Sequence, residues 1–173
     1  MLLRVTREVL VSNDRVFDDS DYYTGPPVTP DAVGAAEVSL CVRLPASYVA
    51  LLGERNGGSP NRRCFPTPFP TSWAPDHISI DAILGIGGEW GIDSEDLGSH
   101  YMVAEWGYPD VGVAICAMPS GGHDTVMLDY RECGSEGEPA VAYVDEDRDP
   151  RQIASSFQAF VDGLIDCPPP NLG

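Results

Sequence analysis

Residues 44–58 read Leu44-Pro45-Ala46-Ser47-Tyr48-Val49-Ala50-Leu51-Leu52-Gly53-Glu54-Arg55-Asn56-Gly57-Gly58. Leu44-Pro45 interrupts the pattern before it and starts a helix, because proline fixes φ near the helical value and lacks only an amide that a first turn leaves unpaired. Tyr48, Leu51 and Leu52 then recur at i, i+3 and i+4, which puts them on one apolar face turned toward a core. Asn56-Gly57-Gly58 is expected to end the helix, since both residue types tolerate the left-handed backbone of a helix C-terminus.

Upstream, Thr29-Pro30-Asp31 predicts another helix start: threonine as N-cap, proline at the first helical position and a carboxylate in the first turn. Val33, Ala36, Glu37 and Leu40 follow at helical spacing. Asp18 to Pro27 is acidic, aromatic and turn-rich and reads as a loop, and Leu2 to Val11 reads as a short strand or a helical turn. Downstream, Cys64 to Thr71 is proline-rich and extended. Ile78 to Ile86 predicts a strand running into a glycine turn, Asp93 to Trp106 a short helix, and Val111 to Met118 a strand before the tight turn Ser120-Gly121-Gly122. Thr125 to Arg131 alternates as a strand, Glu132 to Pro139 is a hairpin loop, and Ala140 to Asp145 is the partner strand. Asp149-Pro150 predicts the start of a last, amphipathic helix carrying Ile153, Phe157, Phe160, Val161 and Leu164, stopped by Pro168 to Pro170. Helices, then antiparallel strands, then a helix is an α+β order. The expectation is one domain with a mainly antiparallel sheet packed against helices: an N-terminal segment at 1–28, the body at 29–166 and a proline-rich tail at 167–173.

The chain has 173 residues and a net charge of −17. Its 18 glycines and 16 prolines favour many turns and short elements. All ten basic residues are arginine, which excludes chemistry that needs a lysine amine, such as Schiff bases or the P-loop lysine. Residues 64–130 hold ten carboxylates and neither lysine nor arginine. A field of that sign repels nucleic acid and anionic membrane and speeds encounter with a basic protein. The bland alternative is that the acidity serves solubility or salt adaptation. Cys41, Cys64, Cys116, Cys133 and Cys167 are odd in number, widely spaced and free of any Cys-x-x-Cys pair, so reduced thiols in a soluble cytoplasmic protein are expected. No apolar run is long enough for a membrane span, and the N-terminus does not read as a signal peptide.

Four short motifs occur in order: Leu44-Pro45-Ala46-Ser47-Tyr48 leading to Asn56-Gly57-Gly58; Pro70-Thr71-Ser72-Trp73 before Asp76-His77; Glu105-Trp106-Gly107-Tyr108-Pro109; and His123-Asp124 before Leu128-Asp129-Tyr130-Arg131. Together with the C-terminal helix they resemble the SMI1/KNR4 (SUKH) superfamily, in its bacterial first branch, from about Thr29 to Ile165. Phe17 departs from the pattern, standing where many relatives have a tryptophan. The resemblance implies a single α+β domain without enzymatic activity or cofactor. Bacterial members of that family look like immunity proteins, each neutralising a toxin that is often a nuclease, whereas fungal members are linked to regulation of cell-wall synthesis. Toxin-contact residues do not carry over, because partners differ between members.

The candidate partner-binding residues are therefore chosen by type: Trp73, Asp76, His77, Glu105, Trp106, His123, Asp124, Asp129 and Tyr130. Tryptophan and tyrosine dominate interface energetics when exposed, but Trp73 and Trp106 also read as buried scaffolding. His123-Asp124 invites a metal reading, yet the remaining histidines, His77 and His100, have no matching spacing. A structural role is expected instead, with Asp124 accepting turn amides and His123 bonded to a carboxylate. Asp129 and Arg131 share a strand face and can pair. Gly85-Ile86-Gly87-Gly88-Glu89-Trp90 is no dinucleotide fingerprint, because Trp90 replaces the last glycine and no βαβ unit surrounds it. The expected function is an immunity protein, a monomer or weak dimer, meeting a basic toxin through its acidic surface and binding neither nucleic acid nor membrane. Its rivals are a regulatory or scaffold binding module and a metal-dependent hydrolase built on His123 and Asp124.

Overall fold

A computed structural model describes residues 15–170; the element expected at residues 2–11 lies outside them. Helix α1 (Pro30–Leu40) begins where the sequence puts it. Thr29 is extended, and its Oγ1 accepts the Ala32 amide at 3.1 Å. Ala36 and Leu40 are the buried positions of this helix. Helix α2 (Ala46–Glu54) follows Pro45 and buries Tyr48, Leu51 and Leu52. The Tyr48 ring meets Phe157 edge-on at 5.1 Å, and its hydroxyl donates to the Leu84 carbonyl at 2.6 Å. One side chain thus supplies apolar area to the core and leaves no polar atom unpaired.

Helix α2 does not end as expected. Arg55 is extended, and positive φ arises only at Gly57 (84°) and Gly58 (159°). Asn56 is not a cap but a buried cross-link. Its Oδ1 accepts the Ile86 amide at 2.8 Å, and its Nδ2 donates to the carbonyls of Pro26 at 2.6 Å and Ile86 at 2.7 Å. A carboxamide carries both donors and an acceptor, so one side chain can fasten three segments.

Among the described residues the strands are β1 (Cys64–Pro66), β2 (His77–Ser79), β3 (Ala82–Ile83), β4 (Gly112–Ala114), β5 (Cys116–Ala117), β6 (Thr125–Asp129), β7 (Ala140–Val144) and β8 (Pro150–Ala154). Helix α3 (Ser99–Trp106) sits between β3 and β4, and α4 (Phe157–Asp162) follows β8. All pairs are antiparallel: β1 with β2, β3 with β5, and the order β4-β6-β7-β8. The architecture is α+β, with the hairpin loop and partner strand after β6 where the alternation put them.

Three readings are corrected. The strand expected at 111–118 is divided. β4 pairs with β6 and β5 with β3, and Ile115 between them donates to Val126 and accepts from the Leu84 amide, so the chain crosses from one sheet to another. The strand expected at 78–86 divides likewise into the end of β2 and β3. The last helix begins later than Asp149-Pro150, because 150–154 is strand β8, paired to β7 with Pro150 opposite Val144. Arg148, at φ 61°, turns the chain back onto β7. The true N-cap is Ser156, whose Oγ accepts the Ala159 amide at 3.1 Å. Phe157, Phe160 and Leu164 are buried as the helical spacing required, while Ile153 belongs to the strand.

The expectation of five reduced thiols is also corrected. Cys64 and Cys167 form a disulfide with Cα atoms 5.0 Å apart, while Cys41, Cys116 and Cys133 are free. The backbone delivers the two partners, since the amides and carbonyls of Cys64 and Ile165 bond reciprocally at 3.1 and 2.8 Å. Spacing along the chain could not show this, because the partners meet only through a long-range bridge. Among the described residues no helix is long and apolar enough to cross a membrane.

Candidate functional site

Around the loop from Ser120 to Asp124, between β5 and β6, lie Trp73, Trp106, Tyr108, Tyr143 and Arg148. Gly121 and Gly122 have φ of 66° and 109°. A Cβ on Gly122 would lie 3.0 Å from the Trp106 ring, so glycine is needed both for the backbone and for the approach of the indole. Tyr108 donates to the Gly122 carbonyl at 2.5 Å. The Arg148 guanidinium lies 4.0 Å from the Tyr108 ring centroid and donates to the carbonyls of His123 at 2.8 Å and Trp106 at 3.2 Å. It therefore ties the β7–β8 turn to α3 and to the glycine loop.

Asp124 is buried beneath this loop. Its Oδ1 accepts the Ser120 hydroxyl at 2.5 Å, and its Oδ2 accepts Trp73 Nε1–H at 3.0 Å and the Tyr143 hydroxyl at 2.8 Å. The carboxylate is satisfied by side chains rather than by the turn amides expected of it. Burial above all, together with the bond to Asp124, raises the Tyr143 phenol to about 12, outweighing the opposing contact with Ser72.

Of the nine candidates, Trp73, Trp106, His123 and Asp124 converge here. Trp73 is 49% exposed while its N–H holds Asp124, so it is neither plain scaffold nor a free anchor. The Trp106 ring is half-buried against Gly122, and Glu105 before it is exposed. His77 and Asp76 pair at 2.8 Å, and the His77 carbonyl accepts the Thr71 hydroxyl at 2.7 Å, which fixes the pair to the loop bearing Trp73. His123 is exposed, with Nδ1 3.8 Å from a Glu146 oxygen; that carboxylate faces it from beyond hydrogen-bond reach. His123 and Asp124 thus point apart, one outward and one into the core. No three His, Cys, Asp or Glu side chains among the described residues come together as a metal ion would need.

Asp129 and Tyr130 lie at the far end of β6 and do not join this group. Burial would raise the Asp129 carboxyl, but its bonds to Arg131 at 2.6 to 3.1 Å hold it below the usual range. Tyr130 is buried and donates to the Arg43 carbonyl at 2.7 Å. Beside them is a polar groove of about 600 Å³ lined by Arg131, Glu132 and Glu138 among others.

One group escaped the sequence reading. Tyr22 and Tyr23 from the acidic loop and Trp90 from the glycine turn cluster with ring centroids 4.8 to 5.5 Å apart. Neither segment has periodicity, so only aromatic content in two loops signalled it.

Of the eight described arginines, five are held by side chains or backbone carbonyls, and Arg15, Arg43 and Arg62 are exposed. Arg63 pairs with Asp18, Arg131 with Asp129 and Arg151 with Asp145, and Arg55 and Arg148 donate to backbone carbonyls. Asp76, Glu89, Glu95, Asp96, Glu105 and Asp110 stay exposed.

Compared with models of known families, residues 27–163 match the SMI1 / KNR4 family (SUKH-1). No curated protein and no solved structure matches the chain.

Proposed function

The chain belongs to the SMI1/KNR4 family (SUKH-1), and from that premise we propose that it is an immunity protein, which binds a basic protein toxin of nuclease type through its acidic surface and so neutralises it. The observation that carries this reading is the placement of charge. Residues 64–130 contain ten carboxylates and neither lysine nor arginine, and five of the eight described arginines elsewhere already hold carboxylates or backbone carbonyls. A nuclease must present a basic groove to phosphates. A surface of fixed carboxylates competes for that groove by charge, and close charge pairs at such an interface can contribute roughly 1.5–7 kcal/mol of coupling. The protein acts by binding, without catalysis or cofactor, as a monomer or weak dimer, and works in the cytoplasm, where a nuclease toxin finds nucleic acid.

The test is a titration against the toxin domain encoded beside this gene, at low and high salt, followed by growth rescue in cells expressing that toxin. Nanomolar binding, rescue, and an association rate that falls about tenfold or more from low to high salt are expected. A salt-independent rate would sink the electrostatic part. Binding to several partners at moderate affinity without rescue would favour a regulatory module.

A further inference from the structure

Next to the glycine loop is an apolar cleft of about 220 Å³. The half-buried rings of Tyr23, Trp90 and Trp106 line it together with Leu97 and the buried Met102 and Met118. Its size selects its occupant. An apolar cavity of about 150 Å³ already admits benzene, whereas sites for whole small molecules run from about 300 to 1,000 Å³. The cleft therefore has room for one aromatic or branched side chain and little more. The two buried methionines in its lining suit it to that use, since the thioether is flexible and polarisable. Tyr22, 64% exposed, meets Tyr23 edge-on and Trp90 at a tilt and extends the aromatic surface outward.

The surroundings decide the partner's charge. Asp21, Glu89, Glu95, Asp96 and Glu105 are exposed and lie one or two residues from the lining residues Tyr23, Trp90, Leu97 and Trp106. Every lining residue from Leu84 to Thr125 falls in the stretch without arginine, and the guanidinium held against the lining, that of Arg148, is turned to the carbonyls of Trp106, Gly122 and His123 and to the Tyr108 ring. Arg55, which bonds the loop carrying Tyr22 and Tyr23, is turned to Thr24 Oγ1 and to the carbonyls of Asp18 and Ser20. An apolar hole inside an anionic rim complements an apolar residue flanked by cations.

We propose that this cleft receives a single aromatic or branched aliphatic side chain of a basic protein partner, whose neighbouring arginines or lysines lie over the surrounding carboxylates. The proposal rests on the basic-partner reading above and adds the contact face to it.

The test uses the full chain with two defined peptides, acetyl-Arg-Arg-Gly-Phe-Gly-Arg-Arg-amide and the same peptide with alanine in place of phenylalanine. The readout is the methyl resonances of Met102 and Met118. The phenylalanine peptide should shift both methyls and bind roughly tenfold or more tighter than the alanine peptide, as expected for burying an aromatic ring. Ala117→Leu, which fills the cleft from its wall, should abolish the difference. Equal affinities for the two peptides, or no methyl shift at millimolar peptide, would overturn the cleft. The toxin titration separates the two readings. A toxin bound and neutralised equally well by wild type, Tyr22→Ala and Ala117→Leu would overturn the cleft and leave the immunity reading standing. Discrimination between the peptides without any toxin binding would uphold the cleft and sink the immunity reading.

Discussion

Asp124, which beside His123 invites a metal reading, has the structural role expected of it but through other partners. Three donors, from Ser120, Trp73 and Tyr143, converge on its two oxygens. In Asp124→Asn the new amide group must point its own donors at one or two of those donors. That change should cost about 2–4 kcal/mol, read as a lower urea midpoint at unchanged m, and should alter Trp73 fluorescence; an unchanged midpoint would mean that the network contributes nothing. The same network sets an alkaline limit. The ordinary phenol value is 10 and the folded Tyr143 value about 12. A phenol raised on folding stabilises the native state fully below pH 10, and this contribution is lost as pH rises toward 12. The loss for a two-unit shift is at most about 2–3 kcal/mol. Stability should therefore fall above pH 10, and Tyr143→Phe should be less stable at neutral pH but show a shallower alkaline decline. A decline of the same steepness would assign the limb to other groups, among them Tyr108, whose phenol is also raised to about 12.

At the scale of elements, local rules worked where the signal is local. Thr29-Pro30 capped α1 and the Tyr48, Leu51, Leu52 stripe placed α2 because capping and helical periodicity act within one or two turns. They failed where two local readings compete and the sheet decides. Asp149-Pro150 has the form of a helix start, yet pairing with β7 makes it a strand, and the cap passes to Ser156. Ser156→Ala should accordingly cost about 1 kcal/mol, whereas Asp149→Ala should be nearly neutral; the reverse order in thermal melts would restore the earlier start. Asn56 failed for another reason: an Asn-Gly-Gly run is a cap by type, and only the fold shows that the side chain reaches Pro26 and Ile86. Asn56→Ala removes one acceptor and two donors from buried backbone partners and should cost about 2–4 kcal/mol, far above the few tenths of a surface cap. Of the residues singled out by type, Trp73, Trp106 and Asp124 do meet at the glycine loop, while His123 turns outward from it. The aromatic rim was not legible in the sequence, because Tyr22 and Trp90 are brought together by loops that obey no period.

At the scale of the whole molecule, the acidic surface and the disulfide make opposing demands. On the proposed reading, binding a nuclease-type toxin where nucleic acid lies would place the protein in a reducing compartment, yet Cys64 and Cys167, separated by 103 residues, are joined. The chain-entropy model gives a loop of that length about 4–5 kcal/mol at most, and engineered examples often deliver less. A chain of 173 residues buries roughly 70% of its unfolded surface without any staple. The paired amides and carbonyls of Cys64 and Ile165, and the burial of Phe157, Phe160 and Leu164, also hold the C-terminal segment independently of sulfur. The bond should therefore add stability without being required for folding. Dithiothreitol should lower the urea midpoint of the wild type by the equivalent of about 2–4 kcal/mol and leave Cys167→Ser unaffected. The reduced protein should keep its near-ultraviolet dichroism and its affinity for the toxin. Collapse of the fold on reduction would instead tie the native state to an oxidising compartment, and a cytoplasmic site of action would then have to be abandoned even if the acidic face binds its partner.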